Sequence, residues 1–202
     1  MGDLSHTSGE NLRPSHGLEQ LFAALGREAG ASVLDLGECT QANVTSITGL
    51  GHRLFFEDLL RNMEAAFSGN DAVAARSDPA RIRVFLDQVL QYPPDRFDAI
   101  FVWDTLEHLT RPLLDEVMPR LHGLLKPQGA LLACFHAEPK GGMVPVYSFR
   151  IVDQRTIQLH PRGTHQPVQW FNNRSIEKLF QGFGNVKFFL TRDSLREVIV
   201  RK

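Results

Sequence analysis

The sequence has two cysteines in 202 residues, no long apolar run and no surplus of charge of either sign. Two thiols, Cys39 and Cys134, make no disulfide framework, and without a CxxC pair there is no structural zinc motif. Both read as buried, small packing residues. The longest apolar runs, residues 99–103 and 130–135, fall far short of the about 20 residues that a membrane-spanning helix needs. Residues 1–15 are polar and lack the apolar stretch of a secretory leader. Lys and Arg number 22 against 23 Asp and Glu, a net charge of −1, so no overall field draws nucleic acid or an anionic membrane. The expectation is a reduced, cytoplasmic protein, monomer or homodimer, with neither nucleic acid nor membrane as partner.

What is there is enough for one folded domain: 43% of the residues are apolar. Residues 1–14 show no apolar period and read as a disordered arm. Leu18, Leu21, Phe22 and Leu25 then recur at helical spacing, with Ser15 as N-cap and Gly30 past the end. Strands are expected at 32–37, 53–57, 97–103 and 130–136, and helices at 42–50, 58–67, 78–90 and from Thr110 to a stop at Pro127-Gln128-Gly129. The 78–90 helix is the strongest signal, with Asp78 as cap and Pro79 in its first turn. Parallel neighbours need crossover helices, so the alternation predicts an α/β fold with a doubly wound, Rossmann-like, mostly parallel sheet. Residues 144–160 read as a β-hairpin turning near Asp153 and Gln154, and 173–183 as a helix. The strands at 186–190 and 197–200 are too close for a crossover and must pair antiparallel. The organisation is one domain, 15–202, with an insertion at 138–172.

In such sheets ligands sit beyond the carboxyl ends of the strands. Those ends carry Asp35, Gly37 and Glu38, then Glu57 and Asp58, then Trp103 and Asp104, then His136. Acids ending three of four strands suit a ligand with hydroxyls and a cationic group, because carboxylates accept hydrogen bonds from both. Each acid could equally cap the helix that follows it.

Four segments together resemble the class I S-adenosylmethionine-dependent methyltransferases. Val33-Leu-Asp-Leu-Gly37 is similar to the start of their cofactor loop, and Phe56-Glu-Asp58-Leu to the acidic end of their second strand. The stretch 97–109, ending Leu106-Glu-His-Leu109, is similar to their fourth strand and its turn, and 124–132 to the entry of their fifth. The resemblance implies S-adenosylmethionine as cofactor and a small-molecule methyl acceptor. By it, Asp35 and Gly37 shape the methionine end of the site, Asp58 or Glu57 takes the ribose, and Trp103 with Asp104 lines the floor. The family's glycine-rich loop is reduced here to Gly37-Glu38-Cys39-Thr40-Gln41, so Glu38 and Gln41 join the expected contacts, Gln41 either touching the ligand or pointing away. Glu107 and His108 are the catalytic candidates, His108 as a general base. The same turn resembles a metal-binding turn of some relatives, but it also occurs without metal, and no metal is expected. An adenine-contacting acid on a third strand has no clear counterpart, since Asp87 falls in a helical pattern.

Two other readings remain. A non-catalytic member of the fold would bind a partner or dimerise through the 144–160 hairpin. A nicotinamide-dependent oxidoreductase would need a fuller glycine pattern after the first strand. Arg150, Arg155, Arg162 and Arg174 in or beside the insertion, with Tyr147, Phe149 and Trp170, either meet an anionic or aromatic substrate or form a solvated hairpin face.

Overall fold

The computed structural model describes residues 12–26, 28–69, 72–137, 142–190 and 195–202. Most of the expected arm, residues 1–11, and residues 138–141 of the insertion lie outside these. In chain order the elements are β1 (Leu12–Pro14), α1 (His16–Leu25), β2 (Ser32–Asp35), α2 (Gln41–Gly49), β3 (Arg53–Phe56), α3 (Leu59–Ala66), α4 (Ala72–Ala75), α5 (Pro79–Val89), β4 (Phe97–Trp103) and a 3-10 turn (Thr105–His108). Then follow α6 (Arg111–Leu124), β5 (Leu125–His136), β6 (Val144–Asp153), β7 (Thr156–His165), α7 (Asn173–Leu179), β8 (Val186–Leu190) and β9 (Leu195–Arg201).

The main sheet has six strands in the order β3-β2-β4-β5-β9-β8. The first four run parallel, and β9 alone is antiparallel to its neighbours β5 and β8. This is the doubly wound, mostly parallel arrangement expected, with an antiparallel C-terminal strand. No strand lies outside β3 among the described residues, and Asp87 is helical, within α5.

Local chemistry sets most boundaries. The Ser15 hydroxyl accepts the Leu18 N–H to start α1, and Asp78 caps α5 ahead of Pro79. The α1 helix stops earlier than expected, at Gly26 (φ 73°) instead of Gly30, because a glycine there takes the left-handed φ at little cost. Two expectations are corrected. Leu12–Pro14 is no part of a loose arm: it pairs antiparallel with β7. And β5 starts at Leu125, not Ala130. Pro127-Gln128-Gly129 does not break the chain but forms an irregularity inside the strand, with Gln128 at φ 66° and the register to β4 slipping between Leu125 and Ala130.

One face of the main sheet packs against α3, α5, α6 and α7. The other is covered by α1, α2 and a second sheet of order β1-β7-β6, whose Phe149, Ile151, Ile157 and Leu159 are buried in the same core as Val33, Phe101 and Leu132. The hairpin is longer than expected and turns at Gln154-Arg155. Its inner edge is tied to α2: Asn43 donates to the Phe149 carbonyl and accepts the Ile151 N–H, and Ser46 donates to the Ile151 carbonyl. Arg13 of β1 meets Glu197 of β9 at 2.5 Å, and Glu197, fully buried, also accepts the Gly17 N–H.

Candidate functional site

Asp35, last residue of β2, is fully buried, and its oxygens are used up within the chain. Oδ1 accepts the Gly37 N–H at 2.9 Å and the Trp103 indole N–H at 2.7 Å, while Oδ2 accepts from the Asn43 amide at 3.0 Å. Burial pushes its carboxyl up to about 6 despite those three donors. Asp35 therefore shapes the loop by holding it, not by facing the cleft.

Trp103 ends β4 at φ 52°, a conformation costly for a bulky residue. Its ring stacks between Phe101 and Phe149, with centroids 4.8 and 4.9 Å away. It lies so close over Gly37 that a Cβ there would meet Trp103 Cδ1 at 2.7 Å. Glycine is required at this position by contact, not by φ.

Beside this indole opens a cleft of about 430 Å³. Of the sequence candidates, Gly37, Glu38, Asp58, Trp103, Asp104 and His108 line it. Tyr147, Phe149 and Arg162 of the hairpin form the opposite wall, which sequence reading placed no more closely than a possible substrate-facing surface. Glu38 and Arg162 pair across the mouth at 3.2 Å, both about half exposed. Four candidates lie off the cleft, Asp35 among them as described above. Gln41 is exposed and its amide donates along α2 to Thr45, so it points away. Glu57 accepts from the Tyr92 hydroxyl and from Asn62, and burial raises its carboxyl. Glu107 has no exposed surface. Asp58 caps α3 through the Arg61 N–H while still lining the cleft. Cys39 is exposed, against expectation, because the loop around it stands clear of the core; Cys134 is buried.

Behind the cleft the carboxyl ends of β4 and β5 gather titratable groups. Glu107 Oε1 accepts the His136 backbone N–H and Oε2 lies 2.7 Å from His136 Nδ1. Burial raises Glu107 and pushes Asp104 up to about 7. His108 stacks on His165 with centroids 4.0 Å apart, and burial pushes it down to about 4. Among the described residues no group of three or more His, Cys, Asp or Glu is placed to hold a metal ion.

A family profile described as a methyltransferase domain matches residues 9–186. The chain belongs to that family. No curated protein matches it in sequence. Among solved structures it is similar to an S-adenosylmethionine-dependent methyltransferase of Archaeoglobus fulgidus, at 13% identity and TM-score 0.53 over 92% of each chain. It is also similar to the 1,6-didemethyltoxoflavin-N1-methyltransferase of Burkholderia thailandensis, solved with 1,6-didemethyltoxoflavin and S-adenosylhomocysteine bound. That pair shares 17% identity and TM-score 0.50, over 92% of this chain and 76% of the other. At such identities the likeness carries the fold.

In this methyltransferase domain the Gly37 loop and the strand-end acids meet at one cleft. The donor set along the cleft suits S-adenosylmethionine: carboxylates of Glu38, Asp58 and Asp104 for cationic and hydroxyl groups, an indole, and one glycine where backbone must come close. A volume near 430 Å³ lies within the ordinary range for small-molecule sites, roughly 300–1,000 Å³. Two larger hollows, of about 680 and 560 Å³, lie between α1, α2 and the hairpin turn, away from these groups. They lack the converging acids, and the cleft is the candidate site.

Proposed function

We propose that the protein transfers a methyl group from S-adenosylmethionine to a small molecule, with both held between the Gly37 loop and the hairpin. When bound, the cofactor supplies an electrophilic methyl group on a sulfonium sulfur. The chain's own work is to hold, orient and exclude water, since in-line displacement needs no covalent enzyme residue. Gly37 lets the Trp103 indole sit against the loop, Asp58 accepts from ribose hydroxyls, Glu38 faces the positive groups, and Asp104 lines the floor. Trp103 forms an apolar floor, and Tyr147 with Phe149 closes the acceptor side. The observation that carries this reading is the close pairing of Gly37 with Trp103 at the head of an acid-lined cleft.

The partner-binding alternative has less support. The apolar side of the hairpin is spent on the protein's own core, through Phe149, Ile151, Ile157 and Leu159. Calorimetry with S-adenosylhomocysteine tests the proposal: one site per chain is expected. Folded protein that gives no heat at millimolar ligand would remove the cofactor, and with it the enzyme.

A further inference from the structure

Of the four arginines in or beside the insertion, Arg162 is the one that lines the cleft. Arg155 lies at the hairpin turn, where it meets Glu19. The cleft that Arg162 enters is two-sided in charge. Its strand-end rim carries Glu38 and Asp104, with Asp58 at the start of α3. The hairpin wall is Val146, Tyr147, Ser148, Phe149 and Arg162, with one cation and, among the described residues, no acid. Arg61, the other cation of the lining, stands three residues from both Asp58 and Glu64 along α3, so its charge is answered locally. Arg162 Nη1 lies 3.2 and 3.3 Å from the two Glu38 oxygens, with both side chains about half exposed. An exposed pair of this kind contributes little and is readily exchanged. In the cofactor reading of the cleft, Glu38 turns to the positive groups of S-adenosylmethionine. The guanidinium is then left on its wall without a counter-charge. A planar guanidinium matches a carboxylate through two parallel N–H donors, and one positive charge balances a carboxylate better than a doubly charged phosphate.

We infer that the methyl acceptor is a small carboxylic acid, that Arg162 holds its carboxylate, and that the cofactor opens this place by taking Glu38 from Arg162. The inference rests on the methyltransferase reading of the cleft. Arg162 is a binding residue: it fixes the acceptor against the hairpin wall and takes no part in making or breaking bonds. The cationic donor and the anionic acceptor then lie on opposite walls, each beside the charge that suits it. Because one ligand frees the group that the other needs, each raises the affinity for the other by the same factor.

Acetate and benzoate serve as acceptor probes, with acetamide and benzamide as their uncharged counterparts. In NMR titrations of protein saturated with S-adenosylhomocysteine, which keeps the cofactor's ammonium group, at least one of the two acids binds. Its amide binds at least about tenfold more weakly. Without S-adenosylhomocysteine the acid binds about fivefold more weakly, and Glu38→Gln restores that affinity in the cofactor-free protein. Arg162→Gln lowers the acid's affinity at least about tenfold, while the Kd for S-adenosylhomocysteine stays within about threefold. Arg162→Lys, which keeps the charge and loses the fork, falls between. Equal binding of acid and amide, binding of neither acid, tighter binding of inorganic phosphate, or an unchanged acid affinity in Arg162→Gln would each overturn the inference. So would an acid affinity indifferent to S-adenosylhomocysteine. Weaker S-adenosylhomocysteine binding in Arg162→Gln would overturn it too, by giving the guanidinium to the cofactor. Failure of the wild type to bind S-adenosylhomocysteine would instead overturn the methyltransferase reading beneath it.

Discussion

Trp103 donates its indole N–H to Asp35 Oδ1 at 2.7 Å, which locks the end of β4 to the end of β2 and sets the indole over Gly37. The same carboxylate holds Asn43, and Asn43 holds the hairpin. The Gly37 loop, the end of β4 and the hairpin are therefore one hydrogen-bonded unit. Trp103→Phe keeps the stacking with Phe101 and Phe149 but takes one donor from a buried charge. A loss of about 1–3 kcal/mol in urea unfolding is expected. Unchanged stability would mean that the bond contributes nothing.

Gly37→Ala introduces a Cβ that meets Trp103 Cδ1 at 2.7 Å and Asp35 Oδ1 at 3.2 Å. The indole must shift, and it is held on both faces by aromatic rings. Overpacking of this kind costs about 1–3 kcal/mol of stability. Calorimetry should also show S-adenosylhomocysteine binding at least about tenfold more weakly, a difference of about 1.4 kcal/mol.

Asp35 and Asp104 set a pH dependence of stability. Burial raises them to about 6 and about 7 from the ordinary 3.8, so each holds its proton more tightly folded than unfolded. Their contribution is full below about pH 4 and is lost as pH rises through 6 and 7. At about 1.4 kcal/mol per pKa unit the loss is on the order of 3 kcal/mol for Asp35 and about 4 kcal/mol for Asp104. Asp104→Asn removes one share of it. Its stability relative to wild type should therefore grow between pH 4 and pH 8 in urea titrations. A difference that stays flat contradicts the raised carboxyl.

Arg13→Ala tests the tie between the two sheets. It leaves Glu197 buried with the Gly17 N–H as its other named donor. Removing one partner of a buried pair costs about 3–5 kcal/mol. Hydrogen exchange should also quicken in β7, whose edge β1 covers. Protection that survives the substitution would show that β1 is dispensable.

The strand–helix order was legible because each parallel strand is a short apolar run between turn residues and each helix carries its own cap, as at Ser15 and Asp78. Local signals misled where tertiary pairing overrides them. Leu12–Pro14 is too short to show a period and is ordered by β7 from far along the chain. Pro127 and Gly129 look like a break, yet β5 passes through them because its own extra residues bulge out of the ladder between Leu125 and Ala130, while β4 runs on from Phe97 to Ala99. The candidate site divides in the same way. Strand-end acids named Gly37, Asp58 and Asp104 correctly as neighbours, since the fold brings carboxyl ends together. Strand position could not tell that Asp35 turns inward to the Trp103 indole. Nor could it pair His136 with Glu107, 29 positions apart, or set Tyr147 and Arg162 on the facing wall.

The most direct measurement is a crystal structure after soaking with S-adenosylhomocysteine. The account predicts ligand density against Gly37, Glu38, Asp58 and Trp103, with the Asp35–Trp103 bond intact. Density instead in the hollow lined by Phe22, Leu50 and Arg155, or a Gly37 cleft still empty at saturating ligand, would contradict it.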